Sequence, residues 1–354
     1  MVATVDFEVR KATHSRISEV DFANLPFGKF FSDHMFIADF IDGMWQQAQI
    51  RPYDYIRMTP ANAALHYGQS IFEGLKAYKS NNGEVFIFRP YENFNRMNAS
   101  ALRMSMPQIP EELFIGGMAE LINLDRNWVP KEEKSSLYIR PFMFAADEFI
   151  GVRPSDNYRF IIFTCPVGAY YNVPVRVKIE DHYTRAANGG TGTAKCAGNY
   201  AASLYPAQLA QKQGFQQLLW TDAKEHRYIE ESGTMNVMFV IDNVLITAPV
   251  SGTILDGITR KSVLEIAQDW GMKVEERRLS VEELLEASKQ GVLQEAFGTG
   301  TAATIANIAE IGYKDQIYTL PATENRTFSP KVLKELEDIR RGNKADARNW
   351  AFAV

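Results

Sequence analysis

The sequence predicts an α/β protein of two domains, α+β in layout: a small mixed α/β domain first, then a larger strand-rich domain with helices at its periphery. Three observations carry this. The chain has 354 residues, beyond the size at which one hydrophobic core usually stops growing. Its first half alternates β-branched and aromatic runs with helical patterns, while short strand-like runs crowd the second half. Between the halves PVGAYYNVP, from Pro166 to Pro174, breaks both patterns with two prolines and a glycine. We therefore place the first domain at 1–165, the connection at 166–176 and the second domain at 177–354.

In the first domain MFIADF from Met35, EVFIF from Glu84, SLYIRPFMF from Ser136 and FIIFTC from Phe160 read as strands. A helix is expected after Pro110. Glu111 and Glu112 suit the positive end of its first turn, and Phe114, Met118, Leu121 and Ile122 share one face. In the second domain VRVKIED, FQQLLWTD, HRYIEE, MNVMFVID and VLITA are strand candidates, with helices starting near Asn199, Thr259, Ser280 and Pro330. Ser280 with Glu283 reads as a capping box, Ser329 as a cap ahead of Pro330, and Gly342 as a stop. No repeat or low-complexity tract interrupts the pattern.

Composition removes several function classes. Hydrophobic residues are 46% and charged residues 23%, as in a folded globular chain. A formal net charge of -5 without a basic cluster offers no footprint for nucleic acid. The opening MVATVDFEVRKATHSR lacks the apolar stretch of a secretory signal, and FIIFTCPVGAYY is too short and broken to span a bilayer, so a cytoplasmic protein is expected. Cys165 and Cys196 cannot build a disulfide scaffold, and five scattered histidines without HExxH argue against a catalytic metal. Chemistry must come from an organic cofactor or from side chains alone.

The segment GGTGTAKCAGNY from Gly189 sets one lysine, Lys195, among small residues with no charge beside it. Small neighbours let a planar ligand approach, and an apolar setting disfavours the ammonium and yields a nucleophilic amine. A flexible surface loop with a solvated lysine fits the same residues. LDGITR, from Leu255, places a glycine before an amphipathic helix carrying Val263, Ile266, Ala267 and Trp270, so the amides of Ile258 and Thr259 suit a phosphate. GTGTA, from Gly298, offers further amides and hydroxyls, and Arg96 in FRPYENFNRM offers a bidentate charge; plain turns and an exposed helix arginine are the simpler readings. In IEESGTMN one of the paired carboxylates, Glu230 or Glu231, suits a protonated heteroaromatic nitrogen, the other being a solvated turn residue.

In this order the segments resemble the branched-chain aminotransferase family, of the fold-type IV pyridoxal-phosphate enzymes. The resemblance covers nearly the whole chain and includes FSDHM, ALHYGQSIFEGLKAY, FRPYENFNRM, SLYIRP, PVGAYY, GGTGTAKCAGNYAASL, EESGTMN, LDGITR and FGTGTA. It implies a pseudo-barrel second domain, pyridoxal 5'-phosphate as cofactor, and transamination between branched-chain L-amino acids and 2-oxoglutarate to give 2-oxo acids and glutamate. Lys195 would bind the cofactor covalently and act as the catalytic base, Tyr200 would face its phenolic oxygen, and Glu231, five residues before Asn236, would pair with the ring nitrogen. Arg96, the amides of Ile258 and Thr259, and Thr301 would hold the phosphate. Phe31, Tyr67, Tyr138, Arg140, Tyr170, Thr234 and Ala302 would line the substrate pocket, Arg140 with Tyr67 meeting the glutamate carboxylate. Ile150 and Val152 match positions that enter from the second subunit of a homodimer. Ala303 and Ala306 replace the CxxC of mammalian members, which excludes a thiol switch there, and Cys196 reads as a small buried residue. A D-amino-acid aminotransferase, an aminodeoxychorismate lyase, or a non-catalytic phosphate binder of the same fold are the competing readings; HYGQSIFEGLKAY and SLYIRP favour the first family, and a pure binder needs neither Lys195 nor Glu231.

Overall fold

The computed structural model describes residues 7–171 and 173–354. Residues 1–6 of the opening segment and Asn172 of the connection lie outside the described residues. Two units account for the chain. The first holds the described part of 1–170 with 194–197 and 337–354, and the second holds 171–193 and 198–336.

The first unit is built on a 10-stranded sheet. Its strands are β1 (Glu8–Val9), β2 (His34–Ile41), β3 (Met44–Trp45), β4 (Gln49–Pro52), β5 (Ser70–Phe72), β6 (Leu75–Lys79), β7 (Val85–Phe88), β8 (Ser136–Ala145), β9 (Tyr158–Val167) and the C-terminal Ala351–Ala353. They run in the order β1-β4-β2-β9-β8-β6-β7 and then the C-terminal strand, with β3 on β2 and β5 on β8. Helix α1 (Ala63–Tyr67) is short, and α2 (Pro90–Arg103) follows β7 with its proline in the first turn, where the missing N–H costs nothing. The helix expected after Pro110 opens as a wide π turn, Glu112–Gly116, before α3 (Gly117–Leu124). That extra width buries Leu113, Phe114 and Ile115 together, where a regular turn would expose one of them.

One sequence feature breaks the first sheet where the site will lie. Pro141 sits inside β8 and has no N–H for a ladder. Opposite it β5 pairs with Phe142–Phe144, β6 pairs with Leu137–Ile139, and the chain between them, Glu73–Gly74, leaves the ladder. Glu73 N–H still donates to the Pro141 carbonyl at 2.7 Å. On the far side of β8, β9 continues to Val167, so Pro166 and Val167 are strand residues rather than part of the connection expected at 166–176. Pro166 is tolerated because β2 pairs with β9 only as far as Phe163.

In the second unit the strands are β10 (Val175–Ile179), β11 (Gln217–Thr221), β12 (Ile229–Ser232), β13 (Met235–Ile241), β14 (Val244–Thr247), β15 (Lys273–Glu276), β16 (Leu293–Gly300), β17 (Thr304–Tyr313) and β18 (Gln316–Thr319). Their order is β12-β11-β10-β17-β16-β13-β14-β15, and β12 also pairs with β13, which closes six of them into a barrel. The barrel core gathers Val177, Leu219, Val237, Phe239, Ala296 and Ile308, the alternate residues of successive strands. Helices α4 (Ala197–Lys212), α5 (Ile258–Asp269), α6 (Val281–Lys289) and α7 (Phe328–Arg340) complete the set. The mixed α/β fold with a strand-rich, barrel-like second half is thus the one expected.

Two caps differ from their sequence reading. Ser280 Oγ accepts from Glu283 N–H at 3.0 Å, but the Glu283 carboxylate turns to Arg277 instead of closing the box. At α7 the helix already begins at Phe328, so Ser329 lies in its first turn. The buried Glu295 carboxylate is the cap, accepting the N–H groups of Thr327, Phe328 and Ser329 at 2.9, 2.7 and 2.8 Å. Among the described residues no helix is long and apolar enough to cross a membrane, and no three His, Cys, Asp or Glu side chains are grouped as a metal site needs.

Lys76, on β6, is 8% exposed beside Arg340 and Arg341. Burial above all, then the charge of Arg340, pushes its amine down to about 8 from 10.5, with Glu337 pulling the other way. Below that value both the folded and the unfolded chain carry the proton, and the fold bears the full cost of the buried cation. Between the two values only the unfolded chain binds it, so the cost fades as pH rises. Lys76→Met should therefore raise the thermal midpoint relative to the native chain more at pH 7 than near pH 10. An identical difference at both values would disprove the buried-cation cost.

Candidate active site

Two of the expected site residues of the first unit, Lys195 and Arg140, lie on the ring of Phe72. Lys195 is held there by its backbone: Phe72 N–H donates to the Lys195 carbonyl at 3.0 Å, Lys195 N–H donates to Ser100 Oγ on α2 at 2.9 Å, and Cys196 forms a bridge with Ile71. Its amine lies over the Phe72 ring, Nζ 4.9 Å from the centroid. The Arg140 guanidinium lies 4.8 Å from the same centroid and donates to Tyr138 Oη at 2.9 Å. Tyr138 and Arg140 share a face of β8 because strand side chains alternate. Phe31 packs on the cluster of Tyr138, Cys165 and Val167 and stacks on Tyr53, while Phe27 joins Tyr138 to Tyr170.

Arg96, one turn along α2 from Ser100, is committed to Glu73. Its Nε and Nη2 donate to the two carboxylate oxygens at 2.7 and 2.8 Å. Asn93 Nδ2 and Gly74 N–H add bonds at 2.7 and 3.1 Å. Glu73 has no solvent exposure. Burial pushes its pKa up, but the charge and bonds of Arg96, the Lys195 charge and the Asn93 bond outweigh this and leave it below the ordinary carboxylate value. The sequence resemblance assigned Arg96 to phosphate; the pairing uses the Nε side of the guanidinium and turns Nη1 away from the acid.

In the second unit the anion is Glu231, buried on β12 and directly opposite Asn236 on β13. Its Oε1 accepts from Leu255 N–H at 2.8 Å and from Asn236 Nδ2 at 3.3 Å, and Oε2 pairs with Arg185 Nε at 2.9 Å. Arg185 also donates through Nη2 to the carbonyls of Gly192 and Thr253. Asn236 donates to the Leu255 carbonyl, so this hairpin is stitched to the segment that opens α5. The two acids of the pair are separated by strand alternation, and neither is a solvated turn residue, which corrects that reading. Glu230 is half-buried, accepts from Thr253 Oγ1 at 2.6 Å, and burial raises its pKa.

The phosphate-like elements of the second unit are present. Gly257 precedes α5 with no side-chain cap, so the first-turn amides of Ile258 and Thr259 lack an intrahelical acceptor. Both residues are buried. A Cβ at Gly257 would sit 1.8 Å from Asn236 Oδ1, which is why only glycine lets this helix start approach the hairpin. Thr301 and Ala302 follow β16 in the turn to β17, and the neighbouring Thr299 Oγ1 is buried without a hydrogen-bond partner. Tyr200 lies on α4, partly exposed, and Thr234 is exposed in the β12–β13 turn. Exposed on the first unit are Tyr67 at the end of α1, and Ile150 and Val152, at 40%, 67% and 92%. Cys165 and Cys196 are unpaired and buried, and burial pushes the Cys165 thiol up to about 11.

Pyridoxal phosphate asks for an amine, an anion for its ring nitrogen and directed donors for its phosphate. Lys195, the hydrogen-bonded and ion-paired Glu231 carboxylate, and the orphan amides of Ile258 and Thr259 fit these requirements one by one. Fold and donor set define an aminotransferase class, and the class IV amino-transferase family model matches residues 70–311. The chain is 42% identical over 97% of its length to branched-chain-amino-acid aminotransferase 2 of Bacillus subtilis, covering 95% of that protein. It is 41% identical over 98% to the branched-chain-amino-acid aminotransferase of Mycolicibacterium smegmatis, covering 96%. Among solved structures, the Escherichia coli branched-chain amino acid aminotransferase superposes with a TM-score of 0.74 at 27% identity, over 90% of this chain and 98% of that one. A branched-chain aminotransferase of Thermoproteus uzoniensis with norvaline gives 0.75 at 25% identity, over 90% and 99%. The chain therefore belongs to the class IV aminotransferases, and within them to the branched-chain aminotransferases.

Arg185 and Glu73 are the site residues that sequence reasoning missed. Glu73 left a trace, a lone acid inside the apolar run SIFEGL. Arg185 left none, since 46 positions separate it from Glu231 and only the barrel brings them together. Breaking a buried pair strands a charge, at a cost of about 3–5 kcal/mol. Arg185→Met should destabilise the cofactor-free protein by that order in denaturant unfolding; a change near zero would show that the pair contributes nothing to Glu231.

Proposed function

We propose that this protein is a branched-chain-amino-acid transaminase that moves the amino group of leucine, isoleucine or valine to 2-oxoglutarate, with pyridoxal 5'-phosphate as carrier. The observation that carries the proposal is the pair of nitrogen groups on one ring: the Lys195 amine and the Arg140 guanidinium lie 4.9 and 4.8 Å from the centre of Phe72. A nucleophilic amine and a fixed guanidinium among aromatic walls suit a site that handles an amino acid with an apolar side chain in one half-reaction and a charged one in the other.

When bound, the cofactor supplies an aldehyde and an electron-withdrawing ring that stabilise negative charge at the substrate Cα. Lys195 Nζ would hold it covalently and would be the base that takes the Cα proton. Glu231 would hold the proton of the ring nitrogen, its carboxylate oriented by Leu255, Asn236 and Arg185. Arg96, the amides of Ile258 and Thr259, and Thr301 would hold the phosphate, and Tyr200 would serve the phenolic oxygen. Phe31, Tyr138, Tyr170, Thr234 and Ala302 form the apolar wall, where burying a branched side chain contributes roughly 1.5–3 kcal/mol. Arg140, with Tyr67, receives the second carboxylate of 2-oxoglutarate or glutamate.

The protein acts as a homodimer, and the exposure of Ile150 and Val152 supports their reaching a second copy. A cytoplasmic location agrees with two buried, unpaired thiols.

Purified protein should be yellow, lose its colour on borohydride treatment, and convert L-leucine and 2-oxoglutarate to glutamate. Lys195→Ala should show no borohydride-sensitive chromophore; an unchanged spectrum in that variant would refute the assignment. Colour with turnover of D-leucine alone would instead support a D-amino-acid enzyme. Arg140→Met should raise KM for 2-oxoglutarate by roughly 10–100-fold, the loss of one charge-assisted contact, with KM for leucine changed much less. Equal effects on both substrates would remove Arg140 from the carboxylate role.

A further inference from the structure

Arg16 has no part in the site as described, yet it bears on one of its walls by two routes. Phe31 and Ser32 immediately precede β2, so their carbonyls lie outside the ladders that begin at His34 and Met35. Arg16 supplies donors there: its Nη2 donates to the Phe31 and Ser32 carbonyls at 3.3 and 2.7 Å. Its guanidinium also lies 5.4 Å from the centre of the Tyr53 ring, and that ring stacks on Phe31 at 4.9 Å with 16° between the planes. One side chain thus holds Phe31 through its carbonyl and touches the ring stacked on it.

The root of Arg16 is fixed separately. Arg16 N–H and Ser15 Oγ donate to the carboxylate of the buried Asp33 at 2.9 and 2.6 Å, and Trp128 Nε1 adds a bond at 2.9 Å. Upstream, Ala12 N–H donates to His34 Nε2 and Arg10 N–H to the Ile50 carbonyl, both at 2.8 Å. Residues 10–16 therefore form a strap along the segment that carries Phe31. The Arg16 side chain is 41% exposed, so replacing it opens no cavity in the core. Phe31 is itself half-buried, meeting Phe163 edge-on and packing on Tyr138, Cys165 and Val167. A wall ring carried on irregular backbone keeps its depth only if that backbone is held. Depth matters because one methylene in an apolar pocket changes discrimination by roughly 10–200-fold.

We propose that Arg16 is a positioning residue for substrate selectivity: by tying down the Phe31 and Ser32 carbonyls and lying over Tyr53, it fixes how far the Phe31 ring projects and so how large a substrate side chain the wall admits. The proposal rests on the placing of Phe31 in the substrate wall given above.

The test uses the pyridoxal-phosphate-loaded protein and measures kcat and KM for L-leucine and for the bulkier L-phenylalanine, with 2-oxoglutarate as acceptor. Arg16→Met should raise KM for leucine and shift the ratio of the two kcat/KM values by about 3–10-fold toward phenylalanine. Arg16→Lys, which keeps a cation without the planar fork, should fall between native and Arg16→Met. Phe31→Ala should move the ratio the same way and further. Adding Arg16→Met to Phe31→Ala should move it no more, because the ring through which Arg16 acts is gone. A merely structural role would instead lower kcat on both substrates alike and leave the ratio in place, which would overturn the proposal. An additive double variant would also overturn it. So would a native ratio in Arg16→Met beside a shifted one in Phe31→Ala, a result under which the wall reading of Phe31 stands. An unmoved ratio in Phe31→Ala removes Phe31 from the wall and this inference with it. If Arg16→Met does not fold, Arg16→Lys decides by the same ratio.

Discussion

The attachment of a four-residue piece of chain, 194–197, governs this protein. Those residues belong with the first unit, although the chain before and after them belongs to the second. The tether is made of main-chain groups: the Phe72 amide on the Lys195 carbonyl, the Lys195 amide on Ser100, and the bridge of Ile71 with Cys196. These main-chain bonds hold the root of Lys195 still, which suits the covalent role proposed for its amine. Alanine and cysteine on either side, both 2% exposed, let the segment sit flush against β5 where larger residues would wedge it away.

Around that tether the protein arranges its buried charges so that none stands alone. Glu73 is matched by Arg96, Glu231 by Arg185 and two neutral donors, and Glu295 by the three amides that open α7. Glu73 lies at the gap beside Pro141, and the Glu295 carboxylate reaches the start of a helix. Irregular backbone carries groups that regular ladders do not satisfy, and a carboxylate is the side chain that can take several N–H donors at once. These contacts close the hydrogen-bond accounts of the fold. Lys76 is a buried amine beside Arg340 and Arg341 with Glu337 acting on it, and burial above all lowers its pKa.

Aromatic side chains perform the complementary task. Phe72 presents one ring to both Lys195 and Arg140, Phe27 meets Tyr138 and Tyr170 edge-on, and Phe31, which packs against Tyr138, stacks on Tyr53. Rings exclude water yet offer a negative face to cations, so an apolar wall and a charge-tolerant wall are the same surface. A site that alternates between a branched hydrocarbon and a carboxylate needs such a surface, because a purely aliphatic wall would reject the second and a polar one would waste the burial of the first.

Local order in the sequence determined a good deal by itself. Alternating apolar runs marked β2, β7, β8 and β9 and the barrel strands, and the glycine before a 3.6-period pattern marked α5, because these signals come from neighbours within a few residues. The family was legible from motifs in order. What only the tertiary structure decided were the contacts between distant positions. Arg185 on Glu231, Glu73 on Arg96, and Glu295 in place of Ser329 at α7 each join residues 23 to 46 positions apart, where no periodicity reaches. The widened turn before α3 and the placement of Pro166 inside a strand are of the same kind. A proline's cost depends on whether a neighbouring strand needs its missing N–H, and that is a property of the assembled sheet.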